Sequence, residues 1–190
     1  MHDSGACQQV GRLGEDRRLA GSHLFASATA HEPPLIGMLG DDPLLVAIGE
    51  RIGAVLRTLE SGDLEGGARQ FVENVALGPG MWDKLPAEMR QTFVFNAPTW
   101  MDEMREQLHD PSVMTLDLPR LAVFGQPVLM TRGDQSPPFF YAILDRIAAA
   151  VSTAQQYTFR GAGHVPHLTH TEEFVRVVTE FAQRGTVAAR

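Results

Sequence analysis

Cysteine is nearly absent from this chain: Cys7 is the only one in 190 residues. A lone thiol excludes an internal disulfide framework and fits a reducing, cytoplasmic setting. A surplus of positive charge is also missing. The formal net charge is −7, and no basic run reverses it, which argues against a nucleic-acid partner. No uninterrupted apolar run approaches the ~20 residues of a membrane-spanning helix. The start, Met1-His2-Asp3-Ser4, has neither a basic region nor an apolar stretch, so no signal peptide is read and no membrane partner is expected. Internal repeats and low-complexity tracts are missing too. What remains is 44% hydrophobic and 21% charged, ordinary for a globular protein, and 190 residues can bury one good core.

Along the chain, residues 1–27 carry glycine at 5, 11, 14 and 21 and no sustained period, which reads mostly as loop. A short strand is expected around Ser27-Ala28-Thr29-Ala30, ending at His31-Glu32-Pro33-Pro34, where two prolines forbid further ladder pairing. From Asp42 the pattern turns helical. Asp42 is a plausible N-cap with Pro43 at the first helical position. Leu45, Ile48, Ile52, Val55, Leu56 and Leu59 then form one apolar stripe at spacings of three and four. A second stripe of Ala68, Phe71, Val72 and Val75 follows Ser61-Gly62-Asp63 and breaks at Gly78-Pro79-Gly80. A third helix opens at Pro86 and carries Met89 and Phe93. Pro98 is expected to kink or divide it before Trp100, Met104 and Leu108. Beyond Asp110-Pro111 the pattern alternates: a strand near 127–131, a helix from Pro138, a strand near 156–159, then a final helix with a Thr169/Glu172 capping box and a Phe174, Val177, Val178, Phe181 stripe. Strand–helix–strand–helix implies an α/β fold with a parallel sheet.

Two loops carry the chemistry. Thr131-Arg132-Gly133-Asp134 puts a carboxylate past the carboxyl end of one strand, and Gly161-Ala162-Gly163-His164 puts an imidazole past the next. That is where open α/β sheets present catalytic groups. Asp134 is the candidate acid, able to hold His164 in one tautomer and stabilise its imidazolium. Its bland alternative is a helix cap, because it stands just before Pro137-Pro138. His164 is the candidate general base, in a loop too irregular for a core histidine. A metal cluster of His164, His167 and His170 is the competing reading. Pro166 prevents the three from sharing a helical face, and no carboxylate or cysteine completes a familiar spacing, so no metal is expected. His167 is instead expected to line a pocket, and His170 to sit at a helix start.

These words and their order resemble the α/β-hydrolase family. The resemblance runs from about His31 to Arg184 through His31-Glu32-Pro33-Pro34-Leu35, the helical block, Pro127-Val128-Leu129-Met130-Thr131-Arg132-Gly133-Asp134-Gln135-Ser136 and Gly161-Ala162-Gly163-His164-Val165-Pro166-His167. It implies a partial parallel sheet at residues 31–190, a helical lid at about 42–111, Asp134 as triad acid and His164 as triad base. It also implies hydrolysis of an ester-like or related small apolar substrate through a nucleophile, with no cofactor.

The family's nucleophile sits in Gly-x-Ser-x-Gly on a sharp strand-to-helix turn. No serine of this chain has glycines at that spacing. His2-Asp3-Ser4-Gly5-Ala6 is the nearest remnant of such an elbow, which makes Asp3 and Ser4 the nucleophile candidates and residues 1–30 an atypical segment. The chain thus resembles a truncated member: the lid and the last third of the sheet, short of activity unless Asp3 or Ser4 serves. The alternative is a non-catalytic fragment or small-molecule-binding protein whose pocket uses Trp82, Phe93, Trp100 and the methionines. A small-molecule substrate is the expected partner, and the open edge of a partial sheet is expected to favour self-association.

Overall fold

The computed structural model describes residues 25–188. Asp3 and Ser4, and most of the 1–30 segment, lie outside the described residues. The chain divides into two compact units. One comprises Leu39–Ser112; the other joins the described parts of Met1–Met38 and Val113–Arg190.

The unit Leu39–Ser112 is helical. Asp42 caps α1 (Pro43–Glu60), its Oδ1 accepting the Leu44 N–H at 3.0 Å. Pro43 opens the helix, where its missing N–H costs nothing. Ile48, Val55, Leu56 and Leu59 are buried, the stripe expected from their spacing. Asp63 caps α2 (Leu64–Phe71) through the Gly66 N–H at 2.8 Å. A Cβ at Gly67 would lie 2.2 Å from Leu59 Cδ2, so the approach of α1 and α2 needs glycine there. The short α3 (Met81–Lys84) buries Trp82. Then α4 runs unbroken over Ala87–His109 with Pro98 inside it, so Pro98 does not divide the helix. Trp100, expected at a pocket, has its ring 4.8 Å from that of Phe71, which in turn lies 6.3 Å from Phe93.

The other unit is built on a sheet of three parallel strands, β1 (Ala28–His31), β2 (Val128–Gly133) and β3 (Ala154–Phe159), in that spatial order. The register pairs His31 with Thr131 and Gly133 with Phe159. Val128, Leu129, Met130 and Thr131 are all buried, as a continuous apolar run in the middle of a parallel sheet should be. After α5 (Leu118–Ala122) comes β2. Next, α6 (Pro138–Ala150) buries Phe139, Phe140, Ile143, Leu144 and Ile147, and leads to β3. Beyond β3, α7 (Pro166–Thr169) is a single turn before α8 (Thr171–Ala188). The Thr169/Glu172 capping box is not made. Thr169 closes α7 instead, its hydroxyl 3.2 Å from the Val165 carbonyl, and the His170 carbonyl accepts the Phe174 N–H that opens α8. Val177 and Phe181 of α8 pack with Leu129, Phe159 and Ala162 into a core under the strand exits. No described helix is long and apolar enough to cross a membrane.

Candidate active site

All three strands are parallel, so their carboxyl ends open on one edge, and three loops meet there. The first follows β1. The Glu32 N–H extends the ladder by one bond, to the Thr131 carbonyl at 3.2 Å. The chain then turns sharply, with φ of 39° at Glu32. That left-handed conformation costs a residue with a Cβ roughly 1–2 kcal/mol, and it is what carries the carboxylate into the site. In a continuing strand the His31 and Glu32 side chains would point to opposite faces. Here His31 Nε2 and Glu32 Oε2 lie 3.8 Å apart. The Glu32 carboxylate is wholly buried and doubly held: Oε1 accepts the Gly133 N–H at 2.7 Å and Oε2 accepts from His164 Nδ1 at 2.6 Å. Glu32, legible in the sequence only as part of a strand exit, is the acid partner of His164.

The second loop follows β2 and carries Asp134. Its expected pairing with His164 is not made. Asp134 is exposed, and its Oδ1 accepts the Gly161 N–H at 2.7 Å. Nor does it cap α6, whose N-terminus has no side-chain cap. What Asp134 does is fasten the third loop to the second, together with the Gln135 N–H, which bonds the Ala162 carbonyl at 2.9 Å. Gly133 lets the loops come that close. A Cβ there would lie 2.3 Å from the Ala162 carbonyl oxygen and 2.4 Å from that of Gly163. The close crossing is why Asp134 misses His164: it brings the backbone N–H of Gly161 to Asp134 and leaves the His164 ring facing the β1 exit.

The third loop delivers His164. Gly161 has φ of 75°, a conformation suited to glycine. The His164 ring stacks on Phe140, with centroids 4.4 Å apart and planes 10° from parallel, and lies 5.7 Å from the His31 ring. With Nδ1 facing a carboxylate, Nδ1 is the protonated nitrogen of the neutral ring. Nε2 has no hydrogen-bond partner among the described residues. Burial pushes the Glu32 carboxyl up, but the bond from His164, the nearby Ser136 hydroxyl dipole and the bond from the Gly133 N–H outweigh it and hold Glu32 below the usual range. The Ser136 hydroxyl is buried and meets no partner at full hydrogen-bond geometry, so its effect on Glu32 is that of a nearby dipole. An anionic Glu32, a proton on Nδ1 and a free lone pair on Nε2 make an acid–histidine pair fit for general-base work.

His167 lies in α7 with its ring 6.0 Å from Phe174, and burial followed by the charge of His164 pushes its ionisation down. His170 stands between α7 and α8, with Nδ1 2.9 Å from the Thr169 hydroxyl. The metal-type grouping that does form, among the described residues, is His31, Glu32 and His164, with ligand atoms within 4.8 Å of one another. The atoms that face one another already hydrogen-bond within the site. Glu32 Oε2 and His164 Nδ1 bond each other, and His31 Nε2 bonds the His164 carbonyl at 3.0 Å. A cation would have to break both contacts, so the arrangement favours hydrogen bonding over coordination.

No family model and no curated protein matches the chain. Solved structures do. MenH from S. aureus superposes on 85% of this chain at 15% identity with a TM-score of 0.59. Proline iminopeptidase from Mycobacterium smegmatis (18% identity, TM-score 0.46) and an alpha/beta hydrolase from Sphaerobacter thermophilus DSM 20745 (21%, 0.42) cover 87% and 74% of the chain. The chain spans 60%, 59% and 54% of those three chains respectively. At these identities the likeness speaks to fold, and the fold of this protein is part of the α/β-hydrolase fold.

Proposed function

We propose that this chain carries the acid–base half of a hydrolase site, with His164 as general base and Glu32 as the carboxylate that orients it. The proposed substrate is an ester-like or related small apolar molecule. The observation supporting the reading is the 2.6 Å contact between buried Glu32 and His164 Nδ1, with Nε2 left open. In the proposed reaction Nε2 takes a proton from a hydroxyl or water whose oxygen attacks the ester carbon. The imidazolium, held by Glu32, returns that proton to the departing alcohol. Asp134 fixes the histidine loop in this scheme and touches no reacting atom.

A second, non-catalytic reading as a fragment or small-molecule-binding protein is favoured by one feature of the sequence: it contains no Gly-x-Ser-x-Gly. Without a positioned hydroxyl there is no covalent acyl intermediate, and hydrolysis falls to general-base attack by water. Pre-steady-state kinetics with a short aryl ester, together with labelling by a serine-directed phosphonate, test both readings. The expected result is slow turnover with no burst and no label, lost in His164→Ala and kept in Ser4→Ala and Asp3→Ala. Turnover no faster than free imidazole and indifferent to His164→Ala would leave the non-catalytic reading. A label on Ser4, or an ester trapped on Asp3, would restore the full nucleophilic mechanism.

A further inference from the structure

His31 is half-buried beside the proposed acid–base pair, and the proposed reaction gives it no task. Its environment determines its tautomer. The His164 carbonyl, 3.0 Å from His31 Nε2, can only accept, so Nε2 carries the proton. The neutral ring then has its lone pair on Nδ1, which faces the Thr131 hydroxyl at 2.9 Å. That hydroxyl has one proton to give. Its alternative acceptor, the Ala30 carbonyl, is farther away at 3.4 Å, so the proton goes to His31. Both contacts follow from the sheet. His31 and Thr131 are partners in the parallel register of β1 and β2, with side chains on one face. Phe159 and Phe174 meet the His31 ring edge-on at 62° and 86°, with centroids 6.3 and 6.1 Å away.

We propose that His31 is a positioning residue for His164, clamping the His164 carbonyl through Nε2–H in a tautomer enforced by the Thr131 hydroxyl. The clamp fixes the backbone of His164 while Glu32 fixes its ring, so two adjacent residues of one strand exit grip the same histidine at two points. The neutral state of His31 matters for a second reason. At 3.8 Å, a positively charged His31 would compete for the Glu32 carboxylate and weaken its hold on His164. Burial, only partly offset by Glu32, pushes the ionisation of His31 down and keeps the ring neutral.

This inference rests on the reading of His164 as the base, but its test does not need turnover. Ring-nitrogen NMR on the intact chain should show His31 as the Nε2–H tautomer and a downfield Nδ1–H resonance from His164. His31→Phe keeps the ring and removes the donor. The His164 resonance should then be lost to solvent exchange under conditions where the wild type retains it. His31→Gln places an amide N–H where Nε2–H was and should restore the resonance. Where turnover is measurable, kcat should fall about tenfold in His31→Phe, equivalent to ~1.4 kcal/mol of barrier, with KM unchanged. A wild-type Nδ1–H tautomer at His31 would overturn the proposal. So would a folded His31→Phe whose His164 resonance persists. If His31→Phe does not fold, the wild-type tautomer and the rescue by Gln decide. Absence of ester turnover alongside the expected spectra would count against the hydrolase reading and leave the clamp standing.

Discussion

Two carboxylates stand at the exits of neighbouring strands, Glu32 after β1 and Asp134 after β2, and their surroundings give them different work. Glu32 is sealed from solvent, accepts a backbone N–H and an imidazole N–H, and sits on a strained backbone. Asp134 is exposed, on an unstrained backbone, and accepts one backbone N–H. A charge removed from water is costly unless every oxygen finds a donor, and once it does the pair is strong and directional. An exposed carboxylate that ties down a loop can be exchanged for another polar group at small cost. A position at a strand's carboxyl end brings a carboxylate within reach of the histidine loop, and burial against the histidine selects between the two.

The sharpest way to break the contrast is Glu32→Gln. An amide can accept from only one of the two N–H groups and turns its NH2 toward the other, so the fold should lose about 1.5–3 kcal/mol, the worth of a hydrogen bond to a charged group. Denaturant unfolding measures this, and the His164 Nδ1–H resonance should vanish with it. A loss under ~1 kcal/mol would mean that water reaches Glu32. Gly133→Ala comes next. The methyl meets two carbonyl oxygens at under 2.5 Å, the loop carrying His164 must move, and the expected cost is about 1–3 kcal/mol. Preserved ester turnover in that variant would show that the loop position is not critical.

A smaller effect is set by pH. His31 and His167 have ionisation pushed below the ordinary histidine value in the fold. As pH drops below ~6.5 the unfolded chain binds protons that the folded chain refuses, so stability is full above that pH and declines beneath it. Glu32 adds a further loss at lower pH: its carboxyl is held below the usual ~4.3, so its stabilisation is present above that value and fades as pH falls through its folded value. Thermal unfolding between pH 2 and 8 should show both limbs, and His31→Gln should flatten the upper one. An unchanged upper limb would leave His167 as its source. Asp134→Asn should have the least effect, about 0.5–1 kcal/mol, because asparagine can still accept the Gly161 N–H. It should leave the His164 Nδ1–H resonance in place. If Asp134→Asn removes that resonance while Glu32→Gln does not, the assignment of the acid reverses.

Much of the scaffold was legible because it follows local rules. Asp42-Pro43 and Asp63 read as helix starts and act as such. The run at 128–131 reads as a buried strand and forms the middle of the sheet. Pro98 does not divide its helix, since a proline within 23 residues of otherwise helical pattern removes one donor and the rest of the turn still forms. The Thr169/Glu172 capping box misled because the chain spends Thr169 on a separate single turn.

The histidine was legible for the same local reason: a glycine-marked loop past a strand, three residues after Gly161. Its partner was not. Asp134 and Glu32 both follow strands, and Asp134 lies 30 residues from His164 whereas Glu32 lies 132 away. Sequence nearness and motif order favoured Asp134. The Glu32-Pro33-Pro34 run at a strand exit was the available signal, and it marked a stop in the ladder without saying where the carboxylate would point.

The sequence by itself therefore determined the elements, their parallel order and the loop that carries His164, because caps, periodicity and turn residues act over a few neighbours. Only the tertiary structure decided which carboxylate meets that histidine. The choice depends on the lateral register of β1 against β2, the left-handed turn at Glu32 and the crossing of two loops over Gly133. Those are long-range placements, and burial, which sets the worth of a charge, is a property of the packed whole.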